Sequence, residues 1–199
     1  MHYAALYGKP DAIAMLHGLN SNLISMKDVH GRSAMHYAAE SGHPDAIAML
    51  HGLNPNLISM KDVHGRSAMH YAAERGHPEA IAMLHRLNPN LIAMKDNDGR
   101  TAMHYAALYG KPDAIAMLLD LNPDLNLISV QDKAGLTAMD YAAKYHDPKI
   151  TVKIHGLITA ALKRTPQAIA ISHNAYPSWL ICHHFRVYVR KILSSFSDD

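Results

Sequence analysis

The chain has 199 residues, 49% of them hydrophobic, and a formal net charge of +2 at pH 7. That composition excludes wholesale disorder and lacks the basic excess of a nucleic-acid binder. Cys182 is the single cysteine, which excludes an intrachain disulfide and fits a reducing, intracellular setting.

Taken in chain order, the sequence is a set of repeats. Residues 1–27 are most of a unit that starts in its middle, because Met1-His2-Tyr3-Ala4-Ala5 aligns with residues 35–39. Met1 is therefore expected to be an internal methionine of a longer protein, or the start of a truncated one. Residues 28–61 and 62–95 are units of 34 residues that differ at four positions: Ser41/Arg75, Asp45/Glu79, Gly52/Arg86 and Ser59/Ala93. Residues 96–131 keep the pattern with a loop lengthened by two residues around Asp124-Leu125. Residues 132–163 form a terminal unit, in which His155-Gly156-Leu157 matches His51-Gly52-Leu53.

Local chemistry predicts the fold of each unit. Asp28-Val29-His30-Gly31 is turn chemistry, with Gly31 free to take a positive φ. Ser33 stands at a helix N-cap position before the helix-favouring run Ala34-Met35-His36-Tyr37-Ala38-Ala39-Glu40. Gly42 ends that helix, and Pro44 opens a second one. Ile47, Leu50 and Leu53 recur on one face of the second helix. Asn54 is expected as a left-handed cap, with Pro55 disfavouring further helix. One helix pair cannot bury its apolar stripe alone, so neighbouring units must stack. The paired alanines 38-39, 72-73, 106-107 and 142-143 are small enough for close helix approach.

Beyond Leu157 the pattern fades. Residues 158–163 either extend or follow the last helix. Residues 164–199 form an appendage with breaks at Thr165-Pro166 and Tyr176-Pro177. Trp179, Cys182, Phe185, Val189, Ile192 and Phe196 follow a helical spacing with Arg186, Arg190 and Lys191 between them, while 185–191 also alternates like a strand. The segment carries the positive charge: six Lys/Arg against two Asp/Glu over 151–199, or +4, against thirteen and fifteen over 1–150, or −2. It is expected to cap the array's apolar end. The alternative is a basic amphipathic helix, serving a membrane-associated or bacterial-effector-like adaptor.

The runs DVHGRSAMHYAA at Asp28 and Asp62, DNDGRTAMHYAA at Asp96 and DKAGLTAMDYAA at Asp132 resemble the ankyrin repeat family, whose signature is Asp-x-x-Gly-x-Thr-Pro-Leu-His-x-Ala-Ala. The chain departs from it where Ala34, Ala68, Ala102 and Ala138 replace the proline and methionines replace the leucine. Asp140 replaces the helix histidine of the last unit. The resemblance implies an all-α ankyrin solenoid of stacked helix-turn-helix units, followed here by the appendage. It also implies that His36, His70 and His104 are buried imidazoles tying the hairpin turn to the first helix.

Neither enzyme nor metalloprotein is expected. His2, His36, His70 and His104 recur one unit apart, about 8–10 Å for packed helices, too far to share a zinc ion. His30, His43, His64 and His77 fall in turns and are expected in solvent. Cys182-His183-His184, with His173 nearby, is the one local cluster of metal-ligand types, and consecutive helical residues diverge. No phosphate loop, nucleophile elbow or His-Glu-x-x-His is present. No cofactor is expected.

Where near-identical units vary, selection for packing is weakest. The ends of the first helices vary most: Leu6-Tyr7, Glu40-Ser41, Glu74-Arg75, Leu108-Tyr109 and Lys144-Tyr145. In the ankyrin family these positions and the hairpin tips line the concave face. Here the tips supply His30, Arg32, His64, Arg66, Asp98 and Arg100. Tyrosine and arginine dominate binding hot spots. The expected function is a non-catalytic scaffold, monomeric and cytoplasmic, holding a protein partner on that face. Delivery into a host cell applies if the source is an intracellular pathogen.

Overall fold

A computed structural model describes residues 1–122, 126–145 and 148–164. The appendage from Thr165 onward, with its Trp179, Cys182 and His183-His184 features, lies outside the described residues, as do Asp124-Leu125 of the lengthened loop. Among the described residues there are ten α-helices and no strand. They run in pairs: α1 (His2–Leu6) and α2 (Pro10–Leu19), α3 (Ala34–Glu40) and α4 (Pro44–Leu53), α5 (Ala68–Arg75) and α6 (Pro78–Leu87), α7 (Ala102–Leu108) and α8 (Pro112–Leu121), α9 (Ala138–Tyr145) and α10 (Pro148–Arg164).

The short helices α1, α3, α5, α7 and α9 pack on one another in order, and α2, α4, α6, α8 and α10 do the same beside them. Two parallel layers result, each helix touching its own partner and its counterpart one unit away. The all-α solenoid expected from the repeats is the architecture observed. Between the layers lie fully buried Met35, Met69 and Met103, Ile47, Ile81 and Ile115, Leu50, Leu84 and Leu118. Ala38-Ala39, Ala72-Ala73 and Ala106-Ala107 are sealed, whereas in the last unit only Ala142 is, and Ala143 is exposed.

The glycine and proline signals act as the local chemistry requires. Gly31 has φ 75° at the hairpin tip, and Gly42 has φ 71° just past α3. A Cβ on Gly42 would also lie 2.5 Å from His77 Nδ1, so this glycine admits the neighbouring unit as well as turning the chain. Pro44, Pro78 and Pro112 open their helices. Asn54 corrects one expectation. It is extended (φ −150°, ψ 96°) rather than left-handed, and its side chain accepts the N–H of Asn56 to start a short 3-10 helix, Pro55–Ser59. That helix turns buried Leu57 and Ile58 into the core. Residues 158–163 continue α10, which runs to Arg164.

Hairpin tips are joined by main-chain bonds: Val63 N–H donates to His30 O, Asn97 N–H to His64 O and Lys133 N–H to Asp98 O, at 3.1, 2.9 and 2.8 Å. No described helix is long and apolar enough to cross a membrane.

Candidate functional site

Each hairpin is built on one aspartate. Asp62 Oδ1 accepts the N–H groups of His64 and Arg66 at 2.9 and 2.8 Å; Oδ2 accepts Arg66 Nε at 2.9 Å and the Tyr71 hydroxyl at 2.8 Å. The Asp62 side chain is completely buried, and Asp28 repeats the four contacts one unit earlier. Burial opposes ionisation of these carboxyls, but the converging donors outweigh it and hold both below the ordinary aspartate range. Burial, and then the bond to Asp62, pushes the Tyr71 hydroxyl far above its usual value. The arginine lies over the tyrosine ring, with its guanidinium carbon 4.4 Å from the ring centroid in both the 28–61 and the 62–95 unit. One Nη donates to the tyrosine oxygen and the other reaches the carboxylate at the end of the same first helix, Glu40 at 3.4 Å or Glu74 at 3.5 Å.

The repeated histidine joins units. Ser67 N–H donates to His70 Nδ1 at 3.1 Å, closing a capping box. With Nδ1 accepting, the ring proton sits on Nε2, which donates to Arg100 O of the next hairpin at 3.1 Å. His36 makes the same bridge to Arg66 O and His104 to Leu136 O. Each imidazole thus ties its own helix cap to the following hairpin rather than to its own. Burial favours the neutral ring, lowering His36 and His104 and pushing His70 down to about 4. In the last unit Asp140 replaces the histidine, and its carboxylate accepts Thr137 N–H and hydroxyl at 2.8 and 2.7 Å.

The ankyrin-repeat family model matches the chain in three copies, over residues 1–95, 48–129 and 86–154. This chain belongs to the ankyrin repeat family. No curated protein matches it. Ankyrin repeats are in general modules of protein–protein interaction, and typically non-catalytic.

The ankyrin array sets the hairpin tips beside the ends of the first helices, as the Arg32–Glu40 and Arg66–Glu74 pairs show. Of the residues singled out from the sequence, Tyr7, His30, His64, Arg75, Asp98, Tyr109 and Lys144 are exposed. Leu6, Arg32, Glu40, Ser41, Glu74, Arg66, Leu108 and Arg100 are half-buried. Tyr145 closes α9, and its side chain lies outside the described part of the structure.

Several of these side chains are held by the array itself. Glu40 is shared between Arg32 and Arg75 of the next unit, the latter at 2.6 Å. Among the described residues Glu74 pairs with Arg66 alone, at 3.5 Å, and burial raises its carboxyl above the ordinary range. Tyr109 stacks on Tyr105 with centroids 6.5 Å apart and stays 48% exposed. His43 and His77 depart from the expectation of solvated turn residues. Both are half-buried, with their rings over Gly8 and Gly42 of the preceding unit, and His77 Nε2 lies 3.1 Å from Glu40 O. Among the described residues no group of three or more His, Cys, Asp or Glu side chains converges to hold a metal ion.

Proposed function

We propose that the array is a non-catalytic scaffold that holds one protein partner on its concave face, along the hairpin tips and first-helix ends. The observation that carries this reading is the split between constant and variable positions. Asp62 and His70, whose residue types recur in the units on either side, are buried and bonded into the hairpins. The residues that change at the first-helix ends remain solvent-accessible, with Tyr109 the largest of them on the inner units. Tyrosine and arginine on a rigid scaffold are the residues that anchor protein interfaces. The face carries both signs of charge, which suits a folded or peptide-like protein surface and not a polyanion.

The test replaces Tyr109 and Tyr145 by alanine and measures capture of proteins from a native extract by cross-linking and mass spectrometry, beside circular dichroism and melting. The reading expects lost capture with an unchanged fold. Normal capture by the double variant would move the binding surface elsewhere.

A further inference from the structure

The hairpin arginine is completed differently along the array. Arg32 and Arg66 each place Nε on the hairpin aspartate, one Nη on the tyrosine oxygen and the other on a glutamate eight residues downstream. In the 96–131 unit two of these three acceptors remain: Asp96 accepts the N–H groups of Asp98 and Arg100, and Tyr105 still donates to its Oδ2 at 2.8 Å. The third is missing, because Leu108 stands where Glu40 and Glu74 stand. Arg100 sits farther from the ring, its guanidinium carbon 6.0 Å from the Tyr105 centroid against 4.4 Å in the two preceding units. One Nη donates to Asp98, whose side chain is 63% exposed. Its Nε is buried without a hydrogen-bond partner among the described residues.

We infer that Arg100, Leu108 and Tyr109 form a receiving site for an acidic side chain of the partner, carried beside a bulky apolar residue in a peptide segment. This inference rests on the proposed partner-binding face and names the chemistry it recognises. A buried guanidinium N–H without an acceptor is unfavourable, and in the two preceding units the glutamate that accepts one Nη holds the guanidinium where Nε reaches the hairpin aspartate. The chain shows the completed form twice, in the 28–61 and 62–95 units. A visiting carboxylate over Leu108 takes the place of Glu40 or Glu74, and the guanidinium returns to Tyr105 with Nε on Asp96. Asp98 is displaced readily, because an exposed ion pair contributes little. Leu108 and the exposed ring of Tyr109 offer apolar contact to the neighbouring residue.

Short random peptides displayed on phage, selected against the full chain and then synthesised, test this by fluorescence anisotropy. The blocking variant combines Leu108→Glu with Asp98→His, which writes into this unit the residues of the two units before it, so folding has precedent within the chain. Arg100→Leu likewise copies Leu136. The selected peptides are expected to carry Asp or Glu next to a bulky apolar residue. They should bind both variants roughly tenfold or more weakly, the order of one charge-assisted hydrogen bond. Peptides that lack an acidic residue and ignore both variants, yet weaken with Tyr109→Ala, overturn the carboxylate site and leave the face in place. Peptides that bind all variants equally, or no enrichment at all, overturn both.

Discussion

Acidification should loosen the array through its histidine bridges, and His70 allows the size to be worked out. Its Nδ1 accepts the helix-cap N–H and its Nε2 donates to the next hairpin, so the native site needs the neutral ring. Burial lowers its folded value to about 4 from the ordinary 6.5. The unfolded chain therefore takes up the proton first as pH falls. The stabilisation is complete above pH ~6.5 and is lost progressively down to pH ~4. A gap of this size corresponds to about 3 kcal/mol, of which about 2 kcal/mol is gone by pH 5. His36 and His104 shift in the same direction. For an array of this length, 2 kcal/mol is roughly 4–8 °C of melting temperature. Urea unfolding followed by circular dichroism at pH 7, 6 and 5 measures it, with His70→Gln as the control, since glutamine can still serve a capping box but does not titrate. Equal stability at pH 7 and 5, or a glutamine variant that loses as much as the parent, would refute the bridge.

Other substitutions test other contacts. Asp62→Ala strands Arg66 Nε and the Tyr71 hydroxyl in a buried site, and should cost about 2–4 kcal/mol in urea unfolding. Leu84→Ala opens a cavity at a fully buried position and should cost about 2–5 kcal/mol by the same measurement. Gly42→Ala forces a Cβ against the His77 ring at positive φ; a loss of at least about 1 kcal/mol is expected, partly recovered in a double variant with His77→Ala.

Features confined to one unit were legible in the sequence, because their causes are local. Gly31, Ser33, Gly42 and Pro44 each impose a backbone conformation within a few residues, and the recurrence of those signals located every helix pair. The stacking of units was legible too, but the polar contacts between them were not. His77 looked like a solvated turn residue because the glycine it covers, Gly42, lies 35 residues earlier. Glu40 looked like a free helix end, yet its two arginines stand eight residues before and 35 after it. A comparison of units does hold a signal: where Glu74 becomes Leu108, His64 also becomes Asp98, and the arginine between them changes partner. Asn54 misled for a different reason. An asparagine before proline suits either a left-handed cap or the start of a 3-10 turn, and buried Leu57 and Ile58 decide for the second.

Deleting residues 62–95, so that Lys61 joins Asp96, removes one whole internal unit and separates a stacked array from a single shared core. If each hairpin pair buries its apolar flank only against adjacent pairs, the shortened chain remains helical and unfolds cooperatively. Its urea m-value should fall by about a fifth, in proportion to the surface removed. Loss of the helical signal and of the cooperative transition would contradict the stacked array and point instead to one indivisible core.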